Sequence, residues 1–437
     1  MFRSFAVRNY RLWFAGALVS NIGTWMQRVA QDWLVLTELT DEDATAVGIT
    51  MALNFAPQLL LLPLTGVVAD RFDRKRTLLV TQGVMAALGL ALGILTVTGV
   101  VELWMVFAFA AALGIASAFD APVRQAFVSE LVPADQLGNA VALNSASFNG
   151  ARLIGPGVAG LLVALIGPGW VFLLNACTFV GVLSALVFLR RAELVAFTRP
   201  KQGGGVRAGL AYIRKRPDII MVLVIVFLMG TFGFNFSIYI ATMARVEFGY
   251  GADVFGVLSS VVAIGSVTGA LLSARRDRPR LRVIALAAAG FGLSMGVAAL
   301  TPNIWLFGVV LVVTGFCALT TMTTANAYVQ TTTKPSMRGR VMAIYLAVFV
   351  GGTPLGAPIT GVVVDAFGPR WGLVVGAGSG LLAAGLAAAW FVRSRQVRLR
   401  WEPARRWPLR MSYGSGSRAD RELATTEIAI VEAETRR

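Results

Sequence analysis

Residues 66–76, with the sequence GVVADRFDRKR, form a short cationic stretch between two long apolar runs. The runs, 47–68 and 77–97, are each about 20 residues long, which is enough to cross the ~30 Å hydrocarbon core of a bilayer. In a soluble protein such charges would form a solvated face, but between two membrane helices they mark the cytoplasmic side. We therefore interpret the stretch as the cytoplasmic turn of a helical hairpin, with Gly66 where a helix ends or packs closely.

The composition supports an all-α integral membrane protein. Of 437 residues, 56% are hydrophobic and 14% are charged, whereas soluble domains carry about 25% charged residues. Runs of this length predict spanning helices rather than the short alternating strands of a barrel. The net charge of +16 is then explained by membrane orientation, and we expect a lipid bilayer and no nucleic acid as partner.

Several chemistries are not supported by the residues present. The chain has no histidine, and its two cysteines, Cys177 and Cys317, both lie in apolar runs. It also lacks the Gly-Lys-Ser/Thr loop that cradles nucleotide phosphates. We therefore expect no enzyme activity, no metal and no cofactor, with an ion gradient as the source of energy.

Twelve apolar runs are long enough to be membrane spans. They are residues 12–36, 47–68, 77–97, 103–119, 137–166, 170–189, 219–243, 254–274, 283–300, 304–327, 341–364 and 372–392. Threaded in this way, the outer loops contain two cations, Arg245 and Arg370, and the remaining loop cations lie inside, including Arg124 in the predicted loop 120–136. This contrast predicts a multi-pass protein of the plasma membrane with both termini in the cytoplasm.

The chain divides into two halves. Residues 190–217 contain eight Lys or Arg and the flexible triplet 203–205, so we interpret them as a linker between a first half, 1–189, and a second half, 218–392. Residues 393–437 lack a sustained apolar period, and we expect a disordered cytoplasmic tail.

An internal repeat supports this division. Residues 126–170 align without a gap on residues 327–371, an offset of 201 positions, and the Gly-Pro-x-Trp turn at Gly167 recurs at Gly368. The fifth and eleventh spans are therefore equivalent, which predicts two parallel six-helix halves related by a pseudo-twofold axis. Substrate sites in such folds lie near the midplane between the halves.

These residues carry a family resemblance. The pattern Gly66-x-x-x-Asp70-Arg71-x-x-Arg74-Lys75-Arg76 resembles the loop between spans two and three of the major facilitator superfamily, with Asp73 where the family usually has glycine. The stretch NGARLIGPGVAG at 149–160 resembles the span-five motif of its drug/proton antiporters. The stretches DAPVRQAF at 120–127 and NAVALNS at 139–145 are more similar to the branch with the enterobactin exporter and macrolide efflux proteins.

The resemblance implies a conformational latch at the first stretch. Its members are Gly66, Asp70, Arg71, Arg74 and Arg76. In the family's arrangement Asp70 faces the start of span eleven near Arg340, where a carboxylate at a helix N-terminus is stabilised by about 0.3–1 kcal/mol when exposed. The alternative is a loop acid paired with Arg71 or Arg74 in water, which contributes little.

Three ionisable residues lie deep within predicted spans, where such groups are usually functional. Arg28 lies about 24 Å and Arg152 about 22 Å from the inner ends of their spans at 1.5 Å per residue. Asp32 follows Arg28 by one turn on the same face. One hypothesis is that Asp32 couples transport to protons and is poised by Arg28 or Arg152. The alternative is that Asp32 and Arg28 line a wet outer funnel, with Arg152 a structural partner.

Other intramembrane residues are candidates for the cavity or for helix packing. The polar ones are Asn21, Gln27, Gln31, Asn54, Asn144, Asn149, Asn235 and Asn326, and the aromatic ones are Trp25, Phe55, Phe232, Phe234 and Phe236. Gly155, Pro156 and Gly160 in span five, with Pro354 and Gly356 in span eleven, predict bent and closely packed helices. The two halves could rock along these helices, or the residues could form structural kinks alone.

The sequence therefore favours a monomeric secondary transporter that exports small amphipathic organic compounds, such as drugs or siderophores, by proton-coupled alternating access. A metabolite importer or uniporter of the same fold is a second interpretation. A non-transporting membrane sensor or scaffold is a third, although a scaffold has no need of Asp32 and Arg152 at membrane depth.

Overall fold

Long apolar runs form helices through almost the whole described chain, because only internal hydrogen bonds satisfy the backbone in lipid. The computed structural model describes residues 3–195, 206–274, 279–395, 398–401 and 409–412. The first half contains α1 (Arg8–Thr37), α2 (Ala44–Leu60), α3 (Leu62–Arg71), α4 (Arg74–Val97), α5 (Leu103–Leu131), α6 (Leu137–Ile166) and α7 (Pro168–Phe188). The described part of the linker contains α8 (Val206–Arg214).

The second half contains α9 (Pro217–Leu228), α10 (Phe236–Thr242), α11 (Ala252–Ala274), α12 (Leu281–Ala299), α13 (Ile304–Thr332), α14 (Pro335–Phe367) and α15 (Pro369–Arg395). In the described residues, ten helical segments are long and apolar enough to cross a membrane. The helix α1 and the pair α2–α3 take the places of the first two spans. Together they give the twelve-helix, two-half architecture that the sequence predicts.

The internal repeat is present in the structure. The helices α5 and α13 have the same length of 29 residues and begin 201 positions apart, at Leu103 and Ile304. The equivalent turns after α6 and α14 are formed by Gly167 and Gly368, with φ of +83° and +98°. Residues with side chains rarely adopt such angles, which explains the glycine at both turns.

The predicted end of the fourth span is wrong. Residues 120–136 were expected to be a loop, but α5 continues to Leu131 and buries Asp120. Thr81 and Gln82 donate to Asp120 Oδ1 at 2.9 and 2.6 Å, and Arg124 Nε lies 2.8 Å from Asp120 Oδ2. Because Asp120 and Arg124 neutralise each other, α5 continues as a helix and Asp120 stays buried where hydropathy predicted a loop. The tenth span likewise extends past its predicted end at residue 327, to Thr332.

The second span is interrupted, and the cationic stretch is mostly helical. The helix α2 ends at Leu60 and α3 begins at Leu62, because Pro63 in the first turn of α3 has no N–H to continue the α2 ladder. Only Phe72 and Asp73 separate α3 from α4. Asp73 caps α4 by accepting a hydrogen bond from Arg76 N at 2.9 Å. It therefore stabilises the turn at the position where the family usually has glycine. Gly66 lies within α3, and a Cβ there would meet open space, so it neither ends a helix nor packs closely.

The seventh span is broken, although the sequence predicted one continuous helix over 219–243. Between α9 and α10 the chain forms a π-helical turn, Met229–Gly233, followed by two residues that are not helical. A second π-helical turn, Met243–Glu247, follows α10. A Cβ on Gly356 of α14 would collide with the Thr231 carbonyl, so the backbones approach closely at the break. Asn235 donates to the freed Thr231 carbonyl at 2.9 Å.

The two halves meet at one end of the bundle and diverge at the other. We call the end with Glu38, Asp41, Glu42 and Asp43 the acidic end, and the end with residues 66–76 the basic end. At the acidic end α2 packs along α14 and α6 along α11, and one hydrophobic cluster includes residues of both halves. The basic end of the first half has a separate cluster.

Where the halves diverge they leave a cavity, and exposed apolar side chains of α6 and α14 line it. Val141 and Phe148 on α6 are 48% and 47% exposed, and Leu346 on α14 is 45% exposed. The helix α3 packs mainly on α5, and α8 packs on the first turns of α14. The cavity is therefore open towards the basic end.

Two predicted regions are described in part. In the tail, where we expected disorder over 393–437, α15 reaches Arg395 and β1 (Arg398–Trp401) pairs antiparallel with β2 (Leu409–Ser412). The other tail residues and the 203–205 triplet lie outside the described residues, so the prediction for them stays a prediction.

Candidate functional site: the cavity between the halves

Arg28 and Asp32 lie together on α1, as their spacing predicts. Asp32 is 5% exposed, and its charge interacts with that of Arg28. The Arg28 guanidinium carbon lies 5.1 Å from the Trp25 ring centroid and 5.0 Å from that of Phe55. These distances are within the range of cation–π attraction, which compensates part of the lost hydration of the cation.

Asp32 also connects the two halves. Ser237, on α10 directly after the break in the seventh span, contributes a hydroxyl that interacts with the Asp32 carboxylate. The first half thus contributes the carboxylate, and the second half contributes its hydroxyl partner. A change in the protonation of Asp32 would therefore alter a contact that depends on how the halves are arranged.

A small polar pocket lies beside Arg28 within the first half. Its volume is about 20 Å³, and its lining includes Arg28, Gln31 and Asn54. Gln31 is 1% exposed and its Nε2 has no hydrogen-bond partner among the described residues. Asn54 donates to the Thr50 carbonyl at 3.1 Å. Gln31 and Asn54 are thus brought to Arg28, and a volume of this size accommodates about one water molecule.

Arg152 is not brought to Asp32. It lies on α6 between Phe148, whose ring centroid is 5.9 Å from that of Trp25, and Gly155, which packs against Trp25. Within the described chain it forms no ion pair and no hydrogen bond. Asn144, two turns closer to the basic end of α6, is partly buried. The predicted three-charge cluster is therefore a close pair and a separate cation.

Asn235 lies in the second half, away from this pair. It is fully buried, and it donates to Thr360 on α14 at 3.1 Å as well as to the Thr231 carbonyl. Near it, the Phe234 ring contacts those of Phe291 and Phe349, with centroids 5.9 and 6.1 Å away. Asn235 therefore holds the broken span to α14, and the aromatic side chains form an apolar cluster beside it in the second half.

The predicted latch residues divide into two groups. Arg71 and Arg76 are exposed. Arg74 is buried within the first half, where its Nη1 lies 2.9 Å from Glu130 Oε1 on α5. The Asp70 side chain lies outside what the structure describes, so its latch contact stays a prediction.

A carboxylate–helix contact is observed at the opposite end of the same two spans. Asp365, near the end of α14, accepts from Ala44 N and Thr45 N at 2.8 Å each and from the Thr45 hydroxyl. It thereby caps the N-terminus of α2 across the interface between the halves. The neighbouring pair Arg245–Glu42, at 2.9 Å, also joins the halves.

The predicted helix-bending residues lie at close helix contacts. Pro156 and Pro354 are inside uninterrupted helices. A Cβ on Gly155 would lie 2.6 Å from Cβ of Trp25, and one on Gly160 would lie 2.5 Å from Cα of Gly256 on α11. Gly160 therefore belongs to the contact between the halves, and Gly155 to the packing of α6 on α1.

Sequence reasoning missed Ser237, Asp120 and Asp365. Ser237 gives no signal, because a serine in an apolar run is common. The pair Asp120 and Arg124 does give one: their i,i+4 spacing fits one helix face and a salt bridge. Asp365 could have been found as an acid near the end of the span equivalent to span five.

Comparison with known proteins agrees with this architecture. Residues 2–412 match the family model described as transmembrane secretion effector. The staphyloferrin A transporter of Staphylococcus aureus is 24% identical over 362 residues, which cover 82% of this chain and 90% of that protein. Macrolide efflux protein A of Streptococcus pyogenes is 25% identical over 86% of this chain and 94% of that protein. The enterobactin exporter EntS of Escherichia coli is 27% identical, with 72% and 76% covered.

Solved structures show the same fold at low identity. A bacterial homologue of the human lysosomal transporter Spinster, inward-facing and unoccupied, superposes with a TM-score of 0.70 at 15% identity, covering 91% of this chain and 99% of that one. The D-xylose–proton symporter gives a TM-score of 0.68 at 15% identity, covering 86% and 96%. With the family match over nearly the whole chain, these findings identify the protein as a member of the transmembrane secretion effector family of major facilitator superfamily transporters.

Proposed function

We propose that the protein is a proton-coupled exporter of small amphipathic organic compounds, of the siderophore or drug class, which works by alternating access in the plasma membrane with both termini in the cytoplasm. The names of the relatives, a siderophore transporter, a macrolide efflux protein and a siderophore exporter, support the substrate class. The transporters among its relatives are not enzymes, and the same is expected of this chain.

The observation that carries the proposal is the position of Asp32. Burying a carboxylate within the membrane is energetically unfavourable, so such a residue usually has a functional role. Here it faces a cation, Arg28, in its own half and a hydroxyl, Ser237, in the other. Protonation would weaken its attraction to Arg28 and change its interaction with the Ser237 hydroxyl. Proton binding is thereby linked to the arrangement of the halves.

The cavity suits an amphipathic substrate. Trp25 and Phe148 on one side, with Phe234 and Phe349 on the other, provide apolar surface. Arg28 provides hydrogen-bond donors beside the Trp25 ring. In the proposed cycle the cavity loads from the basic end. The halves then rock along α2–α14 and α6–α11, where Gly48 on α2 and Gly160 on α6 permit close approach. Asp70 then holds the basic end closed.

The test uses cells without their own efflux pumps. Retention of a macrolide, a tetracycline and a catechol siderophore is measured with and without an uncoupler. Expression should lower retention of at least one compound, and the uncoupler should restore it. Asp32→Asn should abolish the uncoupler-sensitive part, whereas Asp41→Asn, a matched change of an exposed acid at the acidic end, should not. Higher retention on expression would indicate import instead. Uncoupler-sensitive export that persists in Asp32→Asn would remove Asp32 from coupling.

A further inference from the structure

Positive charge exceeds negative charge in the middle of the cavity. The helices α1, α2, α6 and α10 contain one acidic residue between them, Asp32. They contain two arginines away from the ends of the bundle, Arg28 and Arg152. The buried acid Asp120 is already paired with Arg124, and Asp365 caps a helix at the acidic end. The region around Asp32 therefore has an unbalanced cation.

Arg152 faces the cavity rather than the lipid. Towards the acidic end, where the halves are closed, the exposed face of α6 carries Ile154, Leu161 and Leu165, which are 48%, 55% and 69% exposed. At 3.6 residues per turn, Arg152 lies roughly 180° around the helix from Leu161. It is about 60° from Gly155, which packs on α1. Its side chain is accordingly directed towards α1 and the space between the halves.

The donors of this region lack acceptors. Neither Arg28 nor Arg152 forms an ion pair among the described residues. Gln27 and Gln31 are 4% and 1% exposed, and the Nε2 of each has no hydrogen-bond partner in the described chain. The two glutamine amides line the pocket with room for about one water molecule, so the donors left for a ligand are the two guanidinium groups, which anionic oxygens would satisfy. A cationic ligand would instead meet two guanidinium groups.

We propose that the substrate is an organic anion, whose carboxylate or catecholate oxygens bind Arg152 and Arg28 while its apolar part packs on the Trp25–Phe148 pair. The proposal rests on the proposed export function and specifies its substrate class. Arg28 lies 5.1 Å from the Trp25 ring centroid, and Arg152 follows Phe148 by one turn of α6, so one molecule can contact the aromatic pair and both cations. An anion that leaves the cell also moves with an inside-negative membrane potential, which adds to the driving force.

The test compares three probes of one shape and different charge. Dihydroxybenzoate, dihydroxybenzamide and dihydroxybenzylamine are titrated against the full-length protein in lipid nanodiscs, with tryptophan fluorescence or calorimetry as the readout. The acid should bind about tenfold tighter than the amide, as expected for a charge-assisted hydrogen bond, and the amine should bind weakest. Arg152→Gln should remove the preference for the acid. Arg152→Lys, which keeps the charge, should retain most of it, and Arg338→Gln, an exposed cation at the start of α14, should leave it unchanged.

A second variant tests the charge balance itself. Asp32→Asn removes a negative charge near the ligand, so it should tighten binding of the acid and leave the amide unchanged. Equal binding of acid and amide, a preference for the amine, no binding of any probe, or an unaltered preference in Arg152→Gln would each overturn the proposal. The uncoupler experiment is independent of it. Energised export without the acid preference refutes the anion, and the preference without energised export refutes the exporter.

Discussion

The contact of Asp365 with α2 predicts a measurable conformational shift. Asp365→Ala removes three hydrogen bonds to the start of α2, from two N–H groups and the Thr45 hydroxyl. These bonds connect the two halves, so they stabilise only states in which the acidic end is closed. The substitution should therefore favour states in which that end is open.

The magnitude follows from the geometry. Hydrogen bonds to a charged group contribute about 1.5–3 kcal/mol, and a carboxylate at a helix N-terminus contributes about 0.3–1 kcal/mol. Asp365 is exposed, so solvent screening favours a total near the low end, about 1–2 kcal/mol. A differential of this size changes the ratio of closed to open states by roughly 5- to 30-fold. Asp365→Asn keeps the acceptor oxygen and loses the charge, so its shift should be smaller.

The assay measures the distance between the halves at the acidic end. Cys177 and Cys317 are first replaced, and spin labels are attached at Asp41 and Tyr250, both exposed. Electron–electron double resonance on the Asp365→Ala protein should show a larger population at long distance, with Asp365→Asn between it and the unsubstituted protein. Distance distributions that coincide for all three proteins would refute the assignment of Asp365 to closure.

Three other substitutions test the packing. Gly160→Ala places a Cβ 2.5 Å from Cα of Gly256, so it should open the acidic end in the same distance assay, whereas Gly181→Ala, which meets open space, should not. Asp120→Asn removes the carboxylate partner of the partly buried Arg124 and should lower the free energy of unfolding by about 2 kcal/mol, against under about 1 kcal/mol for Glu193→Gln in an exposed pair, as measured by thermal unfolding in detergent. Asp73→Ala removes the cap of α4 and should lower the free energy of unfolding by about 1 kcal/mol, whereas Asp73→Asn should lower it much less. Equal unfolding curves for the two variants would contradict the capping role.

The fold was predictable because three independent patterns agree. Apolar run length, charge asymmetry and the repeat at an offset of 201 positions each depend on many residues, so single exceptions do not change the result. The predicted boundaries 137–166 coincide with α6. Where the prediction of boundaries was wrong, at Asp120 and after residue 327, charged or polar residues were read as loop. Hydropathy assigns each residue separately and cannot detect that two charges are paired in the interior.

The break in the seventh span was not predictable for a different reason. Hydropathy over Pro217–Glu247 is high throughout, and no proline interrupts it after its first residue. The irregular backbone arises from a tertiary contact, since Gly352 and Gly356 of α14 bring that helix against the Thr231 backbone. Irregular backbone in a membrane protein is tolerated where protein covers it. That cover is supplied by residues more than a hundred positions away.

The candidate site was predictable in its local part alone. Arg28 and Asp32 share a helix face, which sequence spacing establishes. Rise per residue predicts similar depths for Arg152 and Arg28, but Gly155 packs against Ile22 and Trp25, so Arg152 lies nearer the basic end than Arg28. Rise per residue also does not give the direction of a side chain between three neighbouring helices. Ser237 belongs to the broken span, so its contact with Asp32 depends on the same tertiary event that the sequence does not reveal.

The helices α2 and α14 are antiparallel, and α3 continues α2 to the basic end. This arrangement gives a physical reason why the cavity would open at only one end of the bundle at a time. At the acidic end a carboxylate of the eleventh span, Asp365, caps the start of the second. The predicted contact at the basic end reverses the roles, since Asp70 of the second span would cap the start of the eleventh. Each contact is a carboxylate on a helix N-terminus, so their free energies are similar in kind and size. Two spans packed in this way cannot close at both ends around a cavity, and Gly66, with open space beside it, leaves room for closure at the basic end. With two comparable closures, a bias of about 1–2 kcal/mol from a proton on Asp32 or from a bound anion would be enough to decide which end is open.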